Sequence, residues 1–233
     1  MRTPPQLRGG LPLRLALLVL GLLLFASGIV ALLESRLGLS PWDVLHQGLA
    51  RHTPLSFGEA NIAVGSGVLA VAFVLGARIG IGTIANAVLV GLFLQLLTSL
   101  HSVSSLAQDS VAIRVVVLAA GLALMGSGTA LYISVGLGAG PRDSLMVVGA
   151  QRTRFRIGAV RATLELTAFA AGFALGGTIG VGTVAFAVVI GPLVELGFAL
   201  LERSPLAASR RHHRDGSSNW PMRRRLRGCE EAL

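Results

Sequence analysis

The apolar residues of this chain are gathered into six long stretches separated by short polar segments. Each stretch holds about 18 to 22 residues, the length that a helix needs to cross a hydrocarbon core of about 30 Å. The stretches cover residues 13–34, 60–77, 83–100, 113–134, 158–177 and 181–201. This pattern predicts an all-α membrane protein with six transmembrane helices.

The six stretches form one three-helix unit that occurs twice. A shift of 100 residues aligns 13–100 with 113–200 without a gap. Such internal similarity indicates a structural unit that is repeated in the fold. Because the first stretch recurs inside the chain, we interpret it as a span and not as a cleaved signal peptide. The predicted divisions are 1–12, a cytoplasmic N-terminus; 13–100, the first repeat; 101–112, an extracytoplasmic linker; 113–201, the second repeat; and 202–233, a basic disordered cytoplasmic tail.

An odd number of spans in each unit predicts that the two units cross the membrane in opposite directions. Three crossings leave the chain on the side of the membrane opposite to its start. The second unit therefore begins on that side and forms an inverted-topology repeat. The arginines favour the same arrangement, because short cytoplasmic loops are rich in basic residues. With the N-terminus inside, the inner loops and the tail hold most of the arginines. We therefore predict a bacterial plasma-membrane protein with both termini in the cytoplasm.

Composition narrows the classes of function. Hydrophobic residues make up 53% of the chain and charged residues 13%, which a water-soluble domain of this size does not need. The formal charge of +9 does not indicate nucleic-acid binding, because the arginines mark loops and the tail. The tail is instead expected to attract anionic lipid of the inner leaflet. The single cysteine, Cys229, excludes an intrachain disulfide. We expect no metal, no cofactor and, since the spans lack a catalytic grouping, no enzyme.

Each repeat carries a Pro-x-Asp motif that predicts a short helix after the first span. Ser40-Pro41-Trp42-Asp43 supplies an N-cap, a proline at the first helical position and an acid in the first turn. Gly140-Pro141-Arg142-Asp143 repeats the motif without the serine. The helices 41–52 and 141–153 are too short to span, so they lie at the interface or enter the bilayer as re-entrant halves. Their N-termini could face an anionic substrate group, or they could be interfacial caps with Trp42 as an anchor.

A second pair of motifs predicts tight turns before the last span of each repeat. These are Gly80-Ile81-Gly82-Thr83 and Gly180-Val181-Gly182-Thr183. They lack the third glycine and the strand of a dinucleotide-binding loop. We interpret the glycines as the reversal of the chain and Thr83 and Thr183 as caps of the following helices.

Four polar residues inside the spans are further candidates, because charge in hydrocarbon is costly and is kept for use or for pairing. They are Asn86, Gln95, Glu165 and Glu195. Glu165 follows Arg161 by one turn, so an ion pair is the alternative to a functional role. Glu195 occupies the repeat position of Gln95 and is either a protonatable group of a site or a helix–helix contact. The predicted substrate-binding residues are Pro41, Trp42, Asp43, Asn86, Gln95, Pro141, Arg142, Asp143, Glu165 and Glu195.

The motifs of the first repeat carry a resemblance to a known family. In its runs Gly38-Leu39-Ser40-Pro41-Trp42-Asp43-Val44-Leu45-His46-Gln47-Gly48 and Gly80-Ile81-Gly82-Thr83-Ile84-Ala85-Asn86, the chain resembles the YczE-like bacterial membrane proteins of the broader YitT/YyaS grouping. The resemblance implies a multi-span membrane protein, with transport suspected and some members associated with antibiotic production. The second repeat departs from the pattern, with Arg142 in place of Trp42 and Phe186 in place of Asn86.

Two hypotheses of function follow. The first is a small-molecule secondary transporter or exporter, because inverted repeats and polar groups at their interface are typical of that class. The second is a membrane scaffold or regulator of secondary-metabolite synthesis, which would act through the inner loop and the tail. The expected partners are the lipid bilayer and an unknown small molecule. Six helices make a thin wall for a pathway, so a homodimer is a further expectation.

Overall fold

A computed structural model describes residues 5, 7, 9–99 and 110–205 of the chain. In this part of the chain the regular structure is helical throughout. The helices are α1 (Leu11–Ser35), α2 (Pro41–His52), α3 (Phe57–Val74), α4 (Ile81–Ser99), α5 (Val111–Ser134), α6 (Pro141–Thr153), α7 (Ile157–Ala174) and α8 (Val181–Arg203). Most of the predicted linker 101–112 and of the predicted tail 202–233 lies outside the described residues.

Among the described residues, five helices are long and apolar enough to cross a membrane. These are α1, α3, α4, α5 and α8. The chain is therefore a multi-pass membrane protein, as the apolar stretches predicted. The remaining predicted span, 158–177, corresponds to α7, which is not one of the five. Its crossing of the membrane therefore stays a prediction.

The helix boundaries follow local sequence signals. The short helices begin at Pro41 and Pro141, where the Pro-x-Asp motifs predicted them. By contrast α3 and α7 end at Val74 and Ala174, three residues before the apolar stretches end. The cause is a glycine two residues beyond each helix, Gly76 with φ +91° and Gly176 with φ +74°. That left-handed conformation ends a helix and costs a glycine nothing.

The centre of the molecule is the crossing of α1 and α5, the first helices of the two halves. A Cβ added to Gly28 would lie 2.6 Å from the carbonyl oxygen of Gly121, and one added to Gly128 would lie 2.7 Å from that of Gly21. Glycines at these four positions let the two backbones touch. Since Gly21 faces Gly128 and Gly28 faces Gly121, the two helices run antiparallel.

Polar contacts between the halves are also exchanged in pairs. The guanidinium of Arg14 donates to the carbonyl of Val135 at 3.0 and 2.6 Å. The guanidinium of Arg114 donates to the carbonyl of Ser35 at 2.7 Å. The two contacts are equivalent under the repeat, because Arg114 corresponds to Arg14 and Ser35 corresponds to Val135. The last carbonyls of a helix have no hydrogen-bond donor within that helix. Each arginine thus supplies a donor to such a carbonyl at the end of the first helix of the other half.

The turns before α4 and α8 also form equivalent hydrogen bonds to the opposite half. The Gly82 N–H donates to the Leu137 carbonyl at 2.9 Å, and the Gly182 N–H donates to the Leu37 carbonyl at 2.7 Å. The short helices are exchanged as well, because α2 packs against α7 and α3 packs against α6. The short helix of each half therefore packs against a long helix of the other half.

Candidate functional site

A partly open cavity of about 50 Å³ lies where α2 and α6 begin, between these helices and α1, α3 and α4. We call it the His46 cavity. Its polar and aromatic lining residues are Phe25, Trp42, Asp43, His46, Asn61, Asn86 and Arg142. Because α6 belongs to the second half and the other helices to the first, both halves of the chain contribute to the cavity.

The start of α2 places Asp43 in the cavity wall. Ser40 caps the helix, and its hydroxyl accepts from the Asp43 N–H at 3.3 Å. The same hydroxyl donates to one carboxylate oxygen of Asp43, whose residue is only 3% exposed. The predicted N-cap is confirmed. Since one carboxylate oxygen is engaged by the cap, the other is left for a neighbour.

That neighbour is His46, one turn further along α2. Its Nδ1 atom lies 3.5 Å from the second carboxylate oxygen of Asp43 and 3.3 Å from the side-chain nitrogen of Asn61. The ring also meets Phe57 edge to face, with 6.2 Å between the ring centroids. These contacts from α2 and α3 fix the plane of the imidazole and engage one of its two nitrogens.

The other nitrogen, Nε2, is buried and makes no hydrogen bond to any described residue. His46 itself is 4% exposed. A buried polar atom without a partner costs about 1–3 kcal/mol, so native proteins rarely tolerate one without a use for it. In one tautomer Nε2 accepts a hydrogen bond and in the other it donates one. His46 therefore has an unused polar atom at the wall of the cavity.

Arg142 contributes the positive charge of the cavity. Its guanidinium carbon lies 5.5 Å from the centroid of the Phe25 ring, within the range of a cation–π contact. Arg142 forms no ion pair with another residue of the described ranges. Asp143 lies close to the hydroxyl of the buried Tyr132. The half-buried guanidinium thus faces the cavity with its charge unpaired.

The equivalent region of the second half is built differently. Phe186 replaces Asn86 and is 8% exposed within the apolar core. Met146 replaces His46, and Arg161 replaces Asn61. The Asp–His–Asn arrangement around the cavity therefore has no counterpart in the second repeat.

The structure brings together five of the predicted binding residues: Trp42, Asp43, Asn86, Pro141 and Arg142. Pro41 and Asp143 are their chain neighbours. Gln95 and Glu195 are exposed on the surfaces of α4 and α8, outside the cavity lining. Glu165 also lies outside it and pairs with Arg161 at 2.8 Å, the alternative that the sequence left open.

Sequence reasoning missed two lining residues, His46 and Asn61. The signal for His46 was its position three residues after Asp43, which puts both on one face of α2. Asn61 is polar within an apolar stretch, the criterion that selected Asn86. Neither residue is part of a metal cluster, since the described residues contain no group of three His, Cys, Asp or Glu that could hold an ion.

The two glycine turns hold the last helices close to the opposite half. The Gly80 N–H donates to the Thr83 hydroxyl at 3.3 Å, and the Gly180 N–H to the Thr183 hydroxyl at 3.4 Å. Both threonines are buried. In the first half this turn sets the start of α4, and with it the depth at which Asn86 meets the cavity.

Comparison with known proteins assigns the chain to a family. It belongs to DUF6198, a family of unknown function whose profile matches residues 12–197. An uncharacterised protein of Haemophilus influenzae is 38% identical over 189 residues, which cover 81% of this chain and 84% of the relative. The uncharacterised membrane protein YczE of Bacillus subtilis is 35% identical over 177 residues, 75% of this chain and 80% of YczE.

A more distant relative widens the grouping. The uncharacterised protein YyaS of Bacillus subtilis is 25% identical over 199 residues, 82% of this chain and 96% of YyaS. The predicted membership in the YczE-like proteins is thereby confirmed. No solved structure matches the chain.

Proposed function

We propose that this chain, a member of the DUF6198 family, is a small-molecule transporter of the bacterial plasma membrane that binds its substrate at the His46 cavity. One observation carries the proposal: polar side chains from both halves converge on a partly open cavity between the helices of a membrane protein. Membrane proteins keep such groups away from lipid, and they mark the paths of solutes and ions. Transporters built from repeats bind at the interface of their repeats.

The chemistry of the lining favours a substrate with an anionic or strongly hydrogen-bonding group. Arg142 supplies a charge without an ion partner, and the first turns of α2 and α6 direct partial positive charge to the same place. Asn61 and Asn86 can each donate and accept hydrogen bonds. Trp42 and Phe25 add apolar surface. No catalytic role is proposed, because the Ser40 hydroxyl bonds Asp43 and not His46.

The inverted topology is part of this proposal. Its support is the antiparallel crossing of α1 and α5 together with the exchanged contacts between the halves. If each half crosses the membrane three times, antiparallel first helices give the two halves opposite orientations. The distribution of arginines then places both termini in the cytoplasm.

Thiol labelling tests the topology. In a Cys229→Ser background, single substitutions Ser56→Cys and Arg156→Cys are expected to react with a membrane-impermeant maleimide from opposite sides of intact cells. Both positions are N-caps, of α3 and α7, so they are matched by the repeat. Labelling of both from one side would show that the halves are not inverted.

The transport function is tested by comparing metabolites inside and outside cells that lack the protein with cells that express it. A compound that accumulates inside when the protein is absent identifies the exported class. Asn86→Leu, which fills the cavity, and His46→Ala are then expected to behave like the deletion. Met146→Ala, the repeat counterpart of His46→Ala, is expected to behave like the wild type.

Two results would contradict this function. Normal export by correctly inserted Asn86→Leu and His46→Ala variants would remove the cavity from the mechanism. Loss of a compound from both compartments in the deletion strain would favour the scaffold or regulator, and the cavity residues would then be structural.

A further inference from the structure

The two helix pairs that should be equivalent, α3 with α4 and α7 with α8, are packed differently. In the first half α3 lies against α4 along its length. A Cβ added to Gly91 would lie 2.6 Å from the carbonyl oxygen of Gly58, and Gln95 N lies 2.9 Å from the Cβ position of Gly58. Both glycines are buried. The first pair is closed, with backbone against backbone.

In the second half the same glycines have nothing to pack against. A Cβ added to Gly158 or to Gly191 meets no atom within 4 Å, and both residues are exposed. Ala87 is 4% exposed, whereas its counterpart Ala187 is exposed. Helices α7 and α8 share no interface like that of α3 and α4. The second pair is open; it retains Gly158 and Gly191, while Glu165 occupies the position at which Gly65 meets Ala87 in the first pair.

One end of α7 is fixed. Near the turn, a Cβ on Gly172 would lie 2.5 Å from the backbone of Val44, so α7 touches α2 there. The Thr178 N–H also donates to the Gln47 side chain at 2.6 Å. The first half has Ala72 at the position of Gly172, and a methyl group does not fit so close a contact. The turn end of α7 is therefore held on α2, while the end with Gly158 is not.

The open side carries charge that disfavours filling by lipid. Asn61 and Gly65 line the His46 cavity, and their counterparts Arg161 and Glu165 lie on the equivalent face of α7. These side chains are 49% and 35% exposed and form an ion pair. Arg161 is also close enough to Tyr132 for its charge to act on that hydroxyl. An ion pair in contact with acyl chains is costly, and burial under an apolar helix of a second copy would desolvate it.

We infer that α7 pivots about its turn end and closes on α8, so that Gly158 packs against Gly191 as Gly58 packs against Gly91. The structure is then the state that is open on the side of α7 and α8 and closed on the side of α3 and α4. The motion rests on packing alone; only its place in a transport cycle rests on the function proposed above.

Disulfide formation tests the closure in the full chain. In a Cys229→Ser background, Gly158→Cys and Gly191→Cys are combined, and native membranes are oxidised with copper phenanthroline. Neither substitution meets a neighbouring atom, so the variant is expected to fold. A disulfide needs Cα atoms about 4.4–6.8 Å apart, which the closed pair provides. We expect loss of both free thiols, measured with a maleimide after denaturation, in the monomeric band.

The matched control combines Gly158→Cys with Leu196→Cys. Leu96, its counterpart, is 58% exposed while the first pair is closed, so a thiol at residue 196 should face away from α7. Retention of both thiols in the control, with their loss in the test pair, supports closure. Retention in both variants overturns it, and so does a dimer-sized band formed by Gly191→Cys alone, which would assign the surface to a second copy. Because the readout is a cross-link, these results do not depend on whether the protein transports.

Discussion

The two halves of this chain follow one plan, yet the polar cavity is lined mainly by the first half, and the second half adds Pro141 and Arg142. Positions that join the halves are the same in both, such as Arg14 and Arg114 at the helix ends. Positions around the cavity have diverged, with His46 and Asn86 in the first half and Met146 and Phe186 in the second. The difference teaches that the contacts joining the halves need matching residues in both repeats, whereas the polar residues of the cavity are free to differ between them.

The largest expected effect contrasts Phe186 with Asn86. Phe186→Ala should lower the free energy of unfolding by about 3–5 kcal/mol, because it removes a buried ring from the core. Asn86→Ala should change it by less than about 1 kcal/mol, since no described residue hydrogen-bonds its side chain. Thermal unfolding of the purified protein in mild detergent gives the comparison. Equal losses would mean that both positions serve packing alone.

The next effect contrasts Gly91 with Gly191. Gly91→Leu should destabilise the protein by about 1–3 kcal/mol, because a side chain there overlaps Ile62 and the Gly58 carbonyl. Gly191→Leu should leave stability unchanged or slightly raised, because the site is open and leucine is the better helix former. The same unfolding assay checks both. A loss of stability in Gly191→Leu as large as that in Gly91→Leu would show that α7 and α8 are already packed together.

The smallest effect contrasts the starts of α3 and α7. Ser56 and Glu59 form a capping box, in which the Ser56 N–H donates to the Glu59 carboxylate at 2.7 Å. Ser56→Ala should therefore cost about 1 kcal/mol. Arg156 occupies the same position in the second half and makes no side-chain cap, so Arg156→Ala should be neutral. Equal unfolding free energies of the two variants would show that the capping box does not stabilise the start of α3.

Much of the fold could be predicted because it depends on local signals. Hydrophobic stretches gave the long helices, and the Pro-x-Asp motifs gave the starts of α2 and α6. The early ends of α3 and α7 could not be read from hydropathy, because they depend on the backbone conformation of Gly76 and Gly176. The alignment of the repeats located the motifs in both halves but not the contacts that the halves exchange.

The candidate site was predicted only in part, for a physical reason. Trp42, Asp43 and Arg142 lie in the Pro-x-Asp motifs, which are recognisable helix starts. All three line the cavity. Gln95 and Glu195 were selected for polarity alone, which does not say which side of a helix faces the centre; both are exposed. The spacing of His46 from Asp43 is visible in the sequence, but its contact with Asn61 of another helix is created only by the fold.

The exchanged arginine contacts have a consequence for how such a chain could arise and assemble. The carbonyl at the end of α1 is bonded by Arg114, which is synthesised only after the whole first half has been synthesised. Each half carries the missing cap of the other, as the two subunits of a symmetric dimer do. A gene for one half, whose product inserted in both orientations, would already have encoded this frame. Fusion of two such copies would place one copy of each orientation in a single chain and would let their cavity positions diverge.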